Sequence, residues 1–355
     1  MLKSGTNQFH GSAYAFLQNQ NLNANSWANK HANPIIAINP YTQTIFGGTV
    51  GGPVLKDKVF FFADYEGARS HTGGLQQASV IPSAMRAGDF SSLLRTASPI
   101  QLYDTQKGFA PYANNQIPIL SPVAKYLFAH PELYPTENAI PTDGLLQNNF
   151  QGAQRKFVRN DQGDIKIEWN ATQSNKFTAF YSQSNAGDTQ TALIPITFPA
   201  QNIYPTKLGG GSWIHTFSPA IVNEARFGFT RVRWDNGIPT DPSGVFGLNG
   251  NAVVGIPFGA QTYPGFSGQN LGNNASFIGA NANVQILRDN TFNYYDNLTW
   301  QRGRHLLSMG IQATRYQQNY INSSNYGFLG EFDYSGAFTG LPGGAGYGPA
   351  GRLAG

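Results

Sequence analysis

The 355-residue sequence contains no cysteine, which removes disulfides, thiolate catalysis and cysteine-held metal from consideration. It is also short of charge. Lys, Arg, Asp and Glu make up 12% of the chain, about half the usual share, so its surface is not one held in water by ion pairs. No apolar run approaches the roughly 18 residues of a membrane-crossing helix, and the longest is VFFFA at 59–63. The opening MLKSGTNQFHGSAYAF lacks the charged and apolar regions of a secretion signal and begins as a strand. The net charge of +4 is small for this length and the cations are scattered, which argues against nucleic acid as a partner.

What is abundant points one way. Aromatics reach 13%, glycine counts 41, and the mean hydropathy is mildly polar at -0.32. A transmembrane β-barrel has this profile, because alternating lipid-facing and lumen-facing residues cancel in any window average. Phe292, Tyr294, Leu298 and Trp300 share one face, and Thr291, Asn293, Asn297 and Thr299 the other. After QRGR, Leu307, Met309, Ile311 and Ala313 alternate with Ser308, Gly310, Gln312 and Thr314. Taking QRGR as a four-residue loop pairs Trp300 with His305, Leu298 with Leu307 and Tyr294 with Ile311. Asp296 breaks the apolar face and calls for a bulge or a partner. The pattern repeats where Ile165, Ile167 and Trp169 alternate with Asp164, Lys166 and Glu168. Phe177, Ala179 and Tyr181 continue it, and so do Ala225, Phe227 and Phe229. In FGGTVGGPVLKDKVFFFADYEG (46–67), Val59, Phe61, Ala63 and Tyr65 face lipid, whereas Phe60, Phe62, Asp64 and Glu66 face inward.

Roughly nine strands follow, at 9–17, 45–55, 59–66, 164–169, 176–184, 212–217, 222–233, 291–300 and 306–320. Connections at 55–58, 170–175, 218–220 and 301–304 are short; those at about 19–43, 68–159, 185–211 and 235–288 are long and rich in Gly, Pro, Asn and Ser. Such alternation is the habit of outer-membrane barrels, with short periplasmic turns and long extracellular loops. The longest loop carries helix signals. Ser121-Pro122 ahead of VAKYLFAH is an N-cap followed by Pro at the first helical position, and IPSAMRAGDFSSLL (81–94) reads as another short helix. An odd strand count leaves an edge that lipid does not tolerate. The expected fold is therefore all-β, an antiparallel transmembrane β-barrel present in part, with a partial barrel at 8–321 and a loop and truncated tail at 322–355.

KSGTNQFHGSAYAF (3–16), the 46–67 stretch, IPSAMRAGDF (81–90), NNQIPILSPVAK (114–125), VNEARFGFTR (222–231) and DNLTWQRGRHLLSMG (296–310) occur in an order that resembles TonB-dependent outer-membrane receptors, specifically their Oar-like branch. The resemblance implies the incomplete N-terminal part of a large plugged barrel of about 22 strands. It also implies that 1–7 is the end of the plug and its join to the barrel. The partners it implies are outer-membrane lipid, an unknown extracellular ligand and the TonB system, reached through a plug missing from this chain. The expected function is ligand binding at the surface of a Gram-negative bacterium for TonB-driven uptake, by a fragment unable to transport alone. Two other readings stand beside it: a surface adhesin or structural barrel, and a soluble all-β carbohydrate-binding protein.

No motif argues for chemistry, and no catalytic, cofactor-binding or metal residue is expected. GYGPAG (346–351) matches G-x-G-x-x-G but has Pro inside it, with no strand before it or helix after it in the sequence pattern. GGTVGG (47–52) lacks the Lys-Ser/Thr of a phosphate loop; its glycines let the strand bend or another backbone approach. The six histidines are dispersed, with His10, His215 and His305 on or beside strands near the interfaces. Asp64, Glu66, Asp164 and Glu168 read as lumen residues with Lys166 and Arg226 as partners, not as paired glycosidase acids. Trp169, Trp213, Trp300, Tyr294 and Tyr316 read as an interfacial girdle. Trp234, entering a long loop, is the single weak ligand-binding candidate.

Overall fold

A computed structural model describes residues 3–324, 326–344 and 346–354 of the protein; Met1 and Leu2, where the expected plug join begins, lie outside them. Ten antiparallel strands form one sheet: β1 (His10–Asn19), β2 (Tyr41–Leu55), β3 (Val59–Ala78), β4 (Phe150–Thr172), β5 (Asn175–Gln190), β6 (Ala200–Ile203), β7 (Thr206–Ser218), β8 (Ile221–Pro239), β9 (Gln285–Arg302) and β10 (His305–Asn322). Neighbours in sequence are neighbours in the sheet, except that short β6 bridges the far ends of β5 and β8. Among the described residues the sheet stays open, with β1 and β10 as its edges.

The nine long strands stand where the alternation places them, but they run further. β3 has 20 residues and β4 has 23, about twice what a tilted strand needs to cross a bilayer. β6 lies inside the segment 185–211 that was expected as loop.

The β9–β10 hairpin corrects the expected register. Arg302 pairs with His305 and Trp300 with Leu307, where Trp300 with His305 was expected. The turn is two residues, and Gly303 at its first position has φ 61°, the conformation that lets a tight turn follow strand twist. A slip of two residues keeps every side chain on its own face, so the faces agree while the partners differ. Asp296 resolves the other way open to it. Both ladders run through it without a shift, so there is no bulge, and Asn223 Nδ2 donates to Asp296 Oδ2 at 2.9 Å.

The sheet buries few apolar side chains. The core lies beyond its long-loop end, where 79–149, 191–199, 240–284 and the segment after β10 pack together. Phe198, Phe246 and Phe266 form an aromatic triangle with ring separations of 5.3, 5.4 and 5.4 Å. The helix Pro122–Ala129 has its expected cap, Ser121, whose side chain accepts from the Ala124 N–H. The Ser83–Arg86 helix sits in the 81–94 stretch, and the Arg86 guanidinium donates to the Ile81 and Tyr134 carbonyls at 2.8 Å each. The described residues of the 322–355 segment are folded into this cap. Glu331–Asp333 pairs in parallel with Gly268–Asn270, and the Leu353 carbonyl accepts from the Leu120 N–H at 2.8 Å. A helix, Gly348–Ala354, begins inside GYGPAG, contrary to expectation, because Pro349 near its start is compatible with a first helical turn. Residues 342–344 ahead of it are turn and bend, so among the described residues no strand leads directly into it.

Candidate functional site

Cross-strand partners share a face, so the ladders sort the sheet into two surfaces. One row on the first surface runs Phe61, Ile167, Ala179, Gly211, Phe227, Tyr294 and Ala313 across seven strands. Next to it, nearer the short turns, Trp169, Phe177 and Trp213 stack at ring separations of 5.4 and 6.0 Å. An apolar band ending in an aromatic belt is what a lipid-facing wall requires. His215 Nδ1 and Trp213 Nε1 at this level both lie within hydrogen-bond distance of Asn175 Oδ1, at 2.8 and 3.0 Å. Among the described residues no cluster of three or more metal-ligating side chains forms.

The second surface is polar. Asp64, Asp164, Ser182, Leu208, Thr230, Thr291 and Tyr316 make one of its rows. This polar side of the sheet holds a groove of about 830 Å³ lined by Asp164, Lys166, Ser182, Ser212, Glu224 and Arg226 among others. Lys166 Nζ lies 3.3 Å from Glu168 Oε1, as the sequence suggested, whereas Arg226 Nη2 takes Glu224 Oε2 at 2.6 Å and none of the four named acids. Tyr316 belongs here and not to the lipid-facing girdle: it donates to Asp289 Oδ2 at 3.0 Å. Its parity opposite Leu307 and Ile311 is the signal that separates it from them.

The N-terminal segment crosses this inner surface at the short-turn end. Lys166 Nζ donates to Ser4 Oγ at 2.9 Å, and Asn7 exchanges hydrogen bonds with Asp57 at 2.6 and 2.9 Å. A Cβ on Gly5 would come within 2.4 Å of the Phe61 carbonyl, so backbone lies directly on backbone. Phe62 is buried beside Gly51 and Gly5. The paired glycines of β2 also make room for rings. Tyr14 covers Gly47, where a Cβ would meet its hydroxyl at 2.7 Å, and donates to Glu66 Oε2 at 2.8 Å; Phe9 covers Gly52.

At the long-loop end Trp234 is on the inner surface, 38% exposed, with its ring 6.4 Å from Tyr204. Asn202 Nδ2 donates to Asp188 Oδ1 at 2.9 Å nearby, giving a small aromatic and polar rim. On the outer side, Asp235 is 2% exposed and held by Arg233 and Arg288. Burial pushes its carboxyl up, but charged hydrogen bonds from the two guanidinium groups outweigh that and hold it below the usual carboxylate range. Arg233 and Asp235 share a face two residues apart because the strand continues past 233, where the loop was expected to begin; Arg288 stands on a strand 53 positions away from Asp235.

Several known proteins are similar. The TonB-dependent transporter Oar of Myxococcus xanthus is 31% identical over 110 residues, covering 30% of this chain and 10% of that protein. The ferric enterobactin receptor of Pseudomonas aeruginosa matches with a TM-score of 0.37 and 14% identity, over 89% of this chain and 32% of that one. The ferric-catecholate import receptor Fiu of E. coli K12 matches with a TM-score of 0.38 and 12% identity, over 97% of this chain and 44% of that one. The chain thus spans a tenth of the curated relative and less than half of either solved chain. These relatives are transporters and receptors, not enzymes. The family model of the outer membrane beta barrel domain matches residues 1–355, and the chain belongs to that family of outer-membrane proteins.

Proposed function

We propose that the chain forms wall and surface loops of a TonB-dependent uptake receptor in the outer membrane of a Gram-negative bacterium. The observation that carries this is the path of residues 4–7, which reach the first strand across the polar inner surface. A segment arriving from inside the wall is what a join to a lumen-filling plug requires, and 1–7 is assigned to it. Residues 8–321 then supply the wall, the segments at about 19–43, 68–159, 185–211 and 235–288 face the cell exterior, and 322–355 completes their cap. The ligand is captured from outside at the long-loop rim of the inner surface, where Trp234 and Tyr204 stand together. Uptake needs the exposed edges β1 and β10 to be paired, because unpaired strand edges are not tolerated in lipid. The chain by itself is therefore proposed not to transport.

The test compares bacteria lacking the gene that carries this chain with bacteria lacking the TonB energy-coupling protein, across a panel of labelled iron chelates and oligosaccharides. Loss of the same substrate in both strains is expected. Unchanged uptake with reduced attachment to surfaces would instead make the protein an adhesin.

A further inference from the structure

Three pairs of cations stand directly opposite one another on the outer surface, just above the apolar band. Arg69 pairs across strands with Arg159, Arg233 with Arg288, and Lys207 with Arg231. Like charges in this position repel and destabilise a sheet unless an anion lies between them. Two of the pairs have one. Asp161 accepts from Arg69 at 2.6 Å and from Arg159 at 2.5 Å, and Asp235 bridges Arg233 and Arg288. The third pair has none: no carboxylate of the described residues lies within ion-pair distance of Lys207 or Arg231, and both side chains are exposed.

We propose that Lys207 and Arg231 form a binding site for the phosphate group of an anionic lipid headgroup in the outer leaflet. The position selects a lipid. One row nearer the short turns on the same face lie Tyr181, Gly209, Phe229 and Phe292, with Phe229 and Phe292 rings 5.1 Å apart. A molecule seated between the two cations thus has apolar surface directly below its charge, as an acyl chain requires, and cationic residues at this depth attract anionic headgroups. Gln183, opposite Lys207 on β5, adds an amide donor at the same level. The site rests on the outward orientation of this face and is independent of uptake or of any plug.

The experiment uses the full chain in detergent micelles doped with either a phosphorylated glycolipid or phosphatidylcholine, reading bound lipid phosphorus and the thermal midpoint. Wild-type protein is expected to retain the phosphorylated glycolipid, and affinity is expected to fall about fivefold for each charge removed in Lys207→Gln and Arg231→Gln. Lys207→Glu keeps the test decisive if those variants fold poorly. It places a carboxylate beside Arg231, as Asp161 and Asp235 do for the other pairs, so it should abolish lipid retention while leaving the midpoint in phosphatidylcholine equal or higher. Equal retention by wild type and Lys207→Glu would overturn the proposal. So would displacement of the glycolipid by an equal concentration of inorganic phosphate, since the site would then read a free anion.

Discussion

At the scale of single residues, the informative positions are polar groups in places that ordinarily reject them. Asp296 stands in the lipid-facing row with Ala225 and Ile311, and its visible compensation is the amide of Asn223. Asn223→Ala should cost about 1–3 kcal/mol, the penalty for stripping a donor from a desolvated acceptor, read by urea unfolding in vesicles. Adding Asp296→Ala to that variant should recover most of the loss. Asp235 makes a prediction in pH. Its folded value lies below the ordinary 3.8, so its contribution is complete above that value and disappears as pH falls through the depressed one. Hydrogen-exchange protection at the end of β8 should therefore drop on acidification below about pH 4, and Asp235→Asn should abolish that dependence while lowering protection at neutral pH. Arg233 ends the expected strand and Asp235 opens the expected loop, so the sequence pattern did not mark them as a same-face pair. Their third member arrives from β9, and no local pattern announces a partner so distant in the chain.

At the scale of elements, the strands were legible because lipid on one side and water on the other impose a period of two on every one of them. Their ends were not. Beyond the bilayer the same strands continue with no apolar face to mark them, so the alternation fades although the ladder does not, as in β3 up to Ala78. The β9–β10 register was missed by two residues for a related reason: alternation fixes faces, and only the turn fixes partners. Replacing Gly303, which adopts φ 61°, with Val should destabilise the hairpin by about 1–2 kcal/mol, measurable as a lowered thermal midpoint in micelles. The cap behaves as a separate element with its own core. Phe246→Ala, removing one ring of the aromatic triangle, should cost about 3–5 kcal/mol locally. Limited proteolysis should then cut between β8 and β9 while the strand signal in circular dichroism stays unchanged.

At the scale of the whole molecule, stability is divided between two environments. The wall gains from lipid contact on one face, whereas the cap is held by ordinary burial outside the bilayer. A protein built this way should lose the two parts separately. Transfer of the full chain from micelles to detergent-free buffer is expected to aggregate it through the apolar row and the edges β1 and β10. The cap is expected to melt at a similar temperature in micelles of different chain length. Sedimentation of the chain above the micelle-forming concentration should also show association through those two edges, and a strictly monomeric species with both edges protected from exchange would contradict the open sheet.

The sequence alone determined the membrane class, the faces of the strands and the short-turn ends. Each follows from a local constraint: alternation for the faces, aromatic rings for the interface, Gly and polar residues for the turns. It also separated inward acids such as Asp64 and Asp164 from outward residues such as Ile165, because parity needs no knowledge of neighbours. Only the tertiary structure decided which cations oppose which. Lys207 and Arg231 are unremarkable in the chain and become a site when β7 and β8 place them face to face without a carboxylate between them. The cap was decided there as well, since Phe246, Tyr347 and Leu353 are ordinary loop residues until segments from three connections and the C-terminal stretch meet around them. Burial between distant segments has no period to read, whereas burial in a bilayer does.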